Sequence, residues 1–535
     1  MKLFFVQITV LQNCNMIIIK NALILFVLWS KIIKCKKEFN VEIRRKQELY
    51  VRFQYAGDEG DRMVFSSLFF VYFFLAACFL CYYLCRSIKA KNIVLVIFSL
   101  IFYAWGEPVW VSMLLFSAFI NWGASMLIGK FRGKKAGGFF AGAAIVIDLA
   151  LLIVFKYSGF IVENINALLH TSVPVPQIVI PIGISFFTFQ AISYIMDCLW
   201  ETVAPQKKFG KFLLYLSLFP QLVAGPIVRY SVIEKEIENR KATPVDISEG
   251  AMRAIIGLSK KVIIANNLYA VVEQFFGSDI SGLSFLGTWY GVILYSLYVY
   301  FDFSGYSDIA IGLGRMFGFH FNENFNYPFI CKTISEFWQR WHISLSSFFR
   351  DYLFYAPIFG RPRKYFNLFL VWFCTGLWHG ASWNFIFWGL YFGIFIFIET
   401  LIGKKRLKKW NKIWTHIYSK LIIIIGFGIF YFTDLSQLGQ FFVNISGAGM
   451  ILNGQSFGDV VTYNSLMNNL FLIIFAIVVS MPILPKIKYV FNEWGNNKLL
   501  AFGKVGGSLV CCALLVICSI LMVDNTNNPF LYFRF

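Results

Sequence analysis

The chain has 535 residues, of which 58% are hydrophobic and 19% aromatic, while only 14% are charged. Apolar runs of about twenty residues, the length a helix needs to cross a bilayer, recur from end to end, which excludes an ordinary soluble protein. The net charge of +20 would suggest nucleic acid in a soluble chain. Here Lys and Arg gather in short loops such as "KFRGKK" (130–135), "RPRK" (361–364) and "KKRLKK" (404–409), as cytoplasmic connections do, so no nucleic-acid partner is expected.

Residues 1–62 differ in texture from the rest, with one weak apolar run at 16–30 followed by the mixed-charge segment "KIIKCKKEFNVEIRRKQ". From Met63 a clean span begins, "MVFSSLFFVYFFLAACFLCYYLC", then basic "RSIKAK", a span at 92–105, the turn "GEP", and a span at 109–128 ending in "KFRGKK". This alternation puts residue 63 outside and residues 86–91 inside. A translated N-terminus would place the basic residues of 31–46 outside as well, which conflicts. We therefore expect 1–62 to be an extension that does not belong to the native protein, with translation starting at Met63 after a purine-rich "EGDR" coding stretch. The rival is a genuine extra helix at 16–30.

Further apolar runs lie at 139–155, 177–199, 212–228, 251–275, 284–301, 366–398 (two helices), 420–433, 466–484 and 504–523. The chain thus reads as an all-α polytopic membrane protein, one helical domain from 63 to 535 with roughly a dozen spans. No polar stretch is long enough for a separate soluble domain, and no internal repeat of the transporter kind is visible. Two segments are too polar to be plain spans. "PIGISFFTFQAISYIMD" (181–197) begins with Pro and Gly, and "FDFSGYSDIAIGLGRMFGF" (301–319) carries two aspartates and four glycines. Irregular backbone at membrane depth needs protein or water around it, so both should face an internal cavity.

The eleven cysteines fall mostly within apolar runs and read as small apolar side chains. Cys78, Cys81 and Cys85 could share a helix face, but the segment lacks further ligands, and no metal is expected.

Five histidines occur. His170, His320 and His416 lie in expected loops with no evident partner. His379 is different, because from Asn367 to Ile398 there is no Asp, Glu, Lys or Arg. An ionisable group in such a stretch is a functional candidate by default. Gly376 and Gly380 bracket it at GxxxG spacing, which lets a neighbouring helix or a substrate approach the backbone. A neutral histidine bonded between helices would look the same. In "EFWQRWHISLSSFFRDYLF" (336–354) the spacing puts Trp338, His342 and Ser346 on one helix face and makes Glu336 and Arg340 an i, i+4 pair. A bare interfacial amphipathic helix shares that pattern. Two histidines among hydroxyls and aromatics suit proton abstraction from a hydroxyl better than metal binding.

At these residues the chain resembles the membrane-bound O-acyltransferase family, in its bacterial alginate O-acetyltransferase-like branch. The matching words, in family order, are "MVFSSLFF" at 63, "FKYSGF" at 155, "PIGISFFTFQAISYIMD" at 181, "FPQLVAGPIVRY" at 219, "FDFSGYSDIAIGLGRMFGF" at 301, "ENFNYPF" at 323, "EFWQRWHISLSSFFRDYLF" at 336 and "TGLWHGASWNFIFWGLYFG" at 375. One departure is "YAPIFGRPRK" (355–364), where relatives continue differently after "FRDYLF".

The resemblance implies about 11–13 transmembrane or re-entrant helices around a central funnel, with the motif-bearing core at about 155–400. It implies that His379, in the "WHG" word, is the principal catalytic histidine and His342, in the "RWH" word, the second. It further implies a multi-pass plasma-membrane enzyme that takes acetyl from a cytoplasmic thioester, acetyl-CoA, for O-acetylation of an extracytoplasmic polysaccharide or cell-wall glycan. No tightly bound cofactor is expected, and a separately encoded extracytoplasmic acetyltransferase partner is implied. The alternatives are D-alanyl transfer to teichoic acid from a carrier-protein thioester and, from another class, a glycan transporter or flippase.

Overall fold

The computed structural model describes residues 63–223, 225–356, 363–452, 454–483, 485–486 and 497–524. The expectation for 1–62, and the departure within 357–362, lie outside the described residues. In chain order the principal helices are α1 (Phe70–Leu84), α2 (Ile88–Gly106), α3 (Val111–Lys130), α4 (Lys135–Leu169), α5 (Ile184–Leu199) and α6 (Phe209–Ser217). They continue with α7 (Tyr230–Glu238), α8 (Pro244–Phe276), α9 (Phe285–Met316), α10 (Ile334–Arg340), α11 (Ile343–Phe349) and α12 (Lys364–His379). The last are α13 (Trp383–Ile402), α14 (Lys412–Tyr431), α15 (Leu435–Ser446), α16 (Val460–Val479) and α17 (Asn497–Asp524).

Among the described residues, eight helices are long and apolar enough to cross a membrane. Of the others from the expected dozen, α5 is shorter and α9 more polar, and protein buries both, whereas the short α1 keeps an exposed apolar side that includes Phe73 and Leu80. The run at 212–228 is not a span: Pro220 opens a single turn, Phe219–Leu222, and residues 223 and 225–229 are not helical. Proline cannot continue a ladder of backbone bonds. A Cβ on Gly225 would lie 2.5 Å from the Gln221 Cα, so the chain folds back tightly there.

The polar segment 301–319 is mostly regular helix, the second half of the 32-residue α9, and not the irregular backbone its composition suggested. Its polarity is met by α8. Asp302 pairs with Lys261 in the interior, and Asp308 takes Lys260 at 2.6 Å and Arg253 at 2.9 Å. Paired charges are the form in which carboxylates survive burial. Its glycines are contact points: a Cβ on Gly257 would sit 2.5 Å from the Gly305 carbonyl oxygen, and one on Gly250 would sit 2.6 Å from that of Gly312. Small residues in register let the two backbones touch, and α8 and α9 form the most extensive helix pair of the fold. The other polar segment begins at a glycine in the left-handed region. Gly183 has φ 74° and faces the Leu222 carbonyl, and α5 is buried along almost its whole length.

The apolar run 366–398 is two helices, α12 and α13, which turn at Gly380–Ser382 and pack as a hairpin. Gly376 and Gly389 make the contact: their Cβ positions fall 2.4 Å from the Phe385 oxygen and 2.2 Å from the Trp372 oxygen. The GxxxG spacing therefore serves the approach of a neighbouring helix. The open ends of the hairpin carry Arg363 and Lys364 on one side and Lys404, Lys405 and Arg406 on the other, so both return to one basic face.

Candidate active site

His342 does not lie on a continuous helix. α10 ends at Arg340, and α11 starts at Ile343. Between them His342 adopts φ 42°, ψ 54°, the left-handed region that costs a branched-Cβ-free but non-glycine residue free energy. Trp338, His342 and Ser346 consequently do not share one helix face, which corrects the reading from spacing. The helical pattern of apolar residues continues through the break, so period alone could not reveal it. The Glu336–Arg340 pair is present at 3.0 Å.

A short strap holds the break. The Ile343 amide donates to the Asn324 carbonyl at 2.9 Å, and the Asn326 amide donates to the Arg340 carbonyl at 2.9 Å. The Asn324 side chain, fully buried, adds four hydrogen bonds. Its Oδ1 accepts from the Ser344 hydroxyl at 2.8 Å, from the Ser344 amide at 3.2 Å and from His342 Nδ1 at 3.2 Å. Its Nδ2 donates to the Ser307 hydroxyl at 3.0 Å. Because Oδ1 can only accept, this bond assigns the His342 proton to Nδ1 and the lone pair to Nε2. Ser344 is tied further, its hydroxyl accepting from the Ile227 amide at 3.0 Å.

His379 is the last residue of α12 and is 9% exposed. Its imidazole meets three aromatic rings edge to face: Trp378 at 4.8 Å, Trp388 at 4.7 Å and Phe430 at 5.1 Å between centroids. Among the described residues no side chain hydrogen-bonds its ring nitrogens. His342 packs on the same tryptophan, with its centroid 5.7 Å from Trp378. Trp378 is thus the wall common to both imidazoles, and Phe186 and Phe189 of α5 back it at 5.5 and 5.9 Å. Phe303 of α9 closes on His342 at 4.6 Å.

The structure therefore brings together residues from words scattered over more than two hundred positions: Lys156 and Tyr157, Phe186, Ile227, Phe303 and Ser307, Asn324, His342 and Ser344, Trp378 and His379. Both predicted histidines are in the group. Asn324, Lys156, Tyr157 and Phe430 were not singled out from sequence. Lys156 closes an apolar run and Asn324 sits inside a matching word, so both carried a signal; Phe430 lies beyond the expected core and carried none.

The remaining histidines are elsewhere. His170 caps α4 in a left-handed conformation and is exposed. His320 is exposed but has a partner, Glu236 at 2.7 Å, and His416 lies inside α14 beside Lys420 at 3.3 Å, so neither fits the expectation of a partnerless loop residue. Cys78 is buried while Cys81 is exposed, so Cys78, Cys81 and Cys85 do not share an environment.

The chain is similar to known proteins. Residues 183–438 match the model of the membrane-bound O-acyltransferase family. The chain is 37% identical over 391 residues to the probable alginate O-acetylase AlgI of Pseudomonas syringae pv. tomato, covering 71% of this chain and 74% of that protein. It is 35% identical over 369 residues to the peptidoglycan O-acetyltransferase of Helicobacter pylori, covering 62% and 69%. It is 30% identical over 340 residues to the teichoic acid D-alanyltransferase of Bacillus subtilis, covering 58% and 83%. The chain belongs to the membrane-bound O-acyltransferase family and is a multi-pass bacterial membrane protein of the alginate O-acetylase-like kind.

Proposed function

We propose that this enzyme takes acetyl from acetyl-CoA, bound at the basic cytoplasmic face, and passes it to a hydroxyl at the outer face for O-acetylation of an extracytoplasmic polysaccharide or cell-wall glycan, with His379 as general base. The observation that carries the reading is the pair of buried imidazoles against the one Trp378 wall, in surroundings otherwise aromatic. His379 takes the proton of the accepting hydroxyl as its oxygen bonds to the thioester carbonyl carbon. The C–S bond then breaks, the thiolate leaves, and the proton passes on to it. General-base help of this kind is worth roughly 10²–10⁴-fold. His342, with its proton on Nδ1, contributes through Nε2 to orienting the acyl group. Names of the relatives support a glycan acceptor, and the higher identity to O-acetyltransferases favours acetyl over D-alanyl. A separate extracytoplasmic acetyltransferase completes delivery to the polymer.

The test is transfer of labelled acetyl from acetyl-CoA in membranes holding the protein and its partner, wild type against His379→Ala at matched folded levels. Loss of transfer in the variant is expected. Normal transfer by His379→Ala would overturn the role of this histidine. A wild type silent with acetyl-CoA but active with a carrier-protein thioester would move the donor to the D-alanyl type.

A further inference from the structure

α12 delivers His379 from its C-terminal end, and a helix end is where backbone carbonyls lack partners. The chain beyond does not supply them: Gly380 is extended, and no backbone amide returns to the last turn. Two side chains of α4 do so instead. The Lys156 ammonium donates to the Trp378 carbonyl at 2.5 Å, and the Tyr157 hydroxyl donates to the Leu377 carbonyl at 2.6 Å. Both come from a single π-turn, Ile153–Tyr157, set into the otherwise regular α4. Such a turn changes the direction of consecutive side chains, and π-turns of this kind gather at functional sites.

Two features go beyond ordinary capping. Lys156 is 8% exposed, and among the described residues no carboxylate lies within ion-pair distance of it. An amine buried without an acid partner is costly to keep charged, although the negative end of a helix dipole offsets part of that cost. The peptide it grips is that of Trp378, the residue against which both imidazoles pack and the immediate neighbour of His379. Nothing else described bonds the His379 ring, so its orientation depends on the backbone that carries it and on the aromatic rings around it.

We infer that Lys156 and Tyr157 are positioning residues: together they clamp the last turn of α12 and fix the direction in which His379 points toward the accepting hydroxyl. The inference rests on the reading of His379 as the base. A shift of about 1 Å in a reacting group can cost about 10²-fold in rate, so loosening this clamp should act on turnover and not on binding of the donor.

The experiment measures kcat and donor KM for acyl transfer in membranes for wild type, Lys156→Met, Tyr157→Phe, His379→Ala and the two doubles with His379→Ala. Folded protein is matched by size-exclusion profile and thermal midpoint. Lys156→Met should lower kcat about 10- to 100-fold and Tyr157→Phe several-fold, with donor KM within about twofold of wild type. In the His379→Ala background neither should lower the residual rate further, because groups acting as a unit are not additive. A folded Lys156→Met with wild-type kcat, or losses that persist in full on top of His379→Ala, would overturn the clamp. If Lys156→Met does not fold, Tyr157→Phe decides by the same two criteria, since it removes one hydroxyl. Normal transfer by His379→Ala alone would instead overturn the base assignment, so the two failures are distinguishable.

Discussion

Replacing Asn324 by Leu tests whether the break at His342 is held by the strap or by packing alone. Leucine keeps the branching at Cγ and leaves the backbone bond between Asn324 and Ile343 in place, so the change removes the side-chain amide. Four buried hydrogen bonds disappear, three into Oδ1 and one from Nδ2. At about 1 kcal/mol net for each bond the loss is near 4 kcal/mol. The Ser344 and Ser307 hydroxyls can rotate to new partners and recover part of it, while the Ser344 amide and the His342 Nδ1–H, left without an acceptor, offset that recovery. The expected destabilisation is therefore about 3–5 kcal/mol, among the large effects for a single substitution. His342 also loses the acceptor that keeps its proton on Nδ1, so turnover of the folded fraction should fall as well. Asn324→Asp retains the accepting oxygen and should keep more of both. Thermal unfolding in detergent and initial transfer rates at matched folded protein measure the two effects. An Asn324→Leu protein within about 1 kcal/mol of wild type, with normal turnover, would refute the argument.

Three further outcomes follow from the packing. Gly389→Ala forces a Cβ to within 2.2 Å of the Trp372 carbonyl, which only a shift of the α12–α13 hairpin can relieve; a loss of about 1–3 kcal/mol or more, and reduced monodisperse yield, are expected on size-exclusion chromatography. Glu399, buried on α13, accepts from the Ile334 amide at 2.6 Å and the Ser335 amide at 2.8 Å, capping α10 from across the fold; Glu399→Gln should cost about 1–2 kcal/mol in thermal unfolding, because a charge-assisted cap becomes a neutral one. At the polar surface, a hydrogen bond from Lys211 holds the Glu238 carboxyl below its ordinary range. A depressed carboxylate contributes stability above its unfolded pKa and loses it as pH falls. Wild type and Glu238→Gln should therefore differ by under about 1 kcal/mol at neutral pH and converge under acid, the carboxylate being half exposed and screened.

Most of the architecture could be read from apolar run length because bilayer thickness sets helix length directly. Where the reading failed, the reason is local. The 212–228 run is apolar enough to span, but Pro220 and the close turn at Gly225 fold it back into the protein, where an apolar sequence is equally at home. The segment 301–319 looked irregular because its aspartates and glycines were counted without their partners on α8, which convert charges into ion pairs and glycines into contacts. The two histidines were visible because each is an ionisable group among residues that cannot ionise. The geometry that positions them was not, since it depends on Asn324 meeting His342 across eighteen residues and Lys156 meeting Trp378 across more than two hundred.

The two histidines are presented by opposite devices, and this bears on how the site can work. His379 stands at the end of a helix whose last carbonyls are clamped from α4, and its ring contacts are aromatic. His342 stands in a left-handed break, with one ring nitrogen committed to Asn324 and its neighbours tied to α9 and to the 227 loop. A base must present a lone pair and accept a proton without a partner competing for it, which suits the histidine whose nitrogens no side chain bonds. An orienting group gains from a fixed tautomer and a fixed ring, which suits the one held by a buried amide. The way each ring is held thus supports the proposed roles, His379 as base and His342 as orienting group, independently of which word of the sequence each occupies.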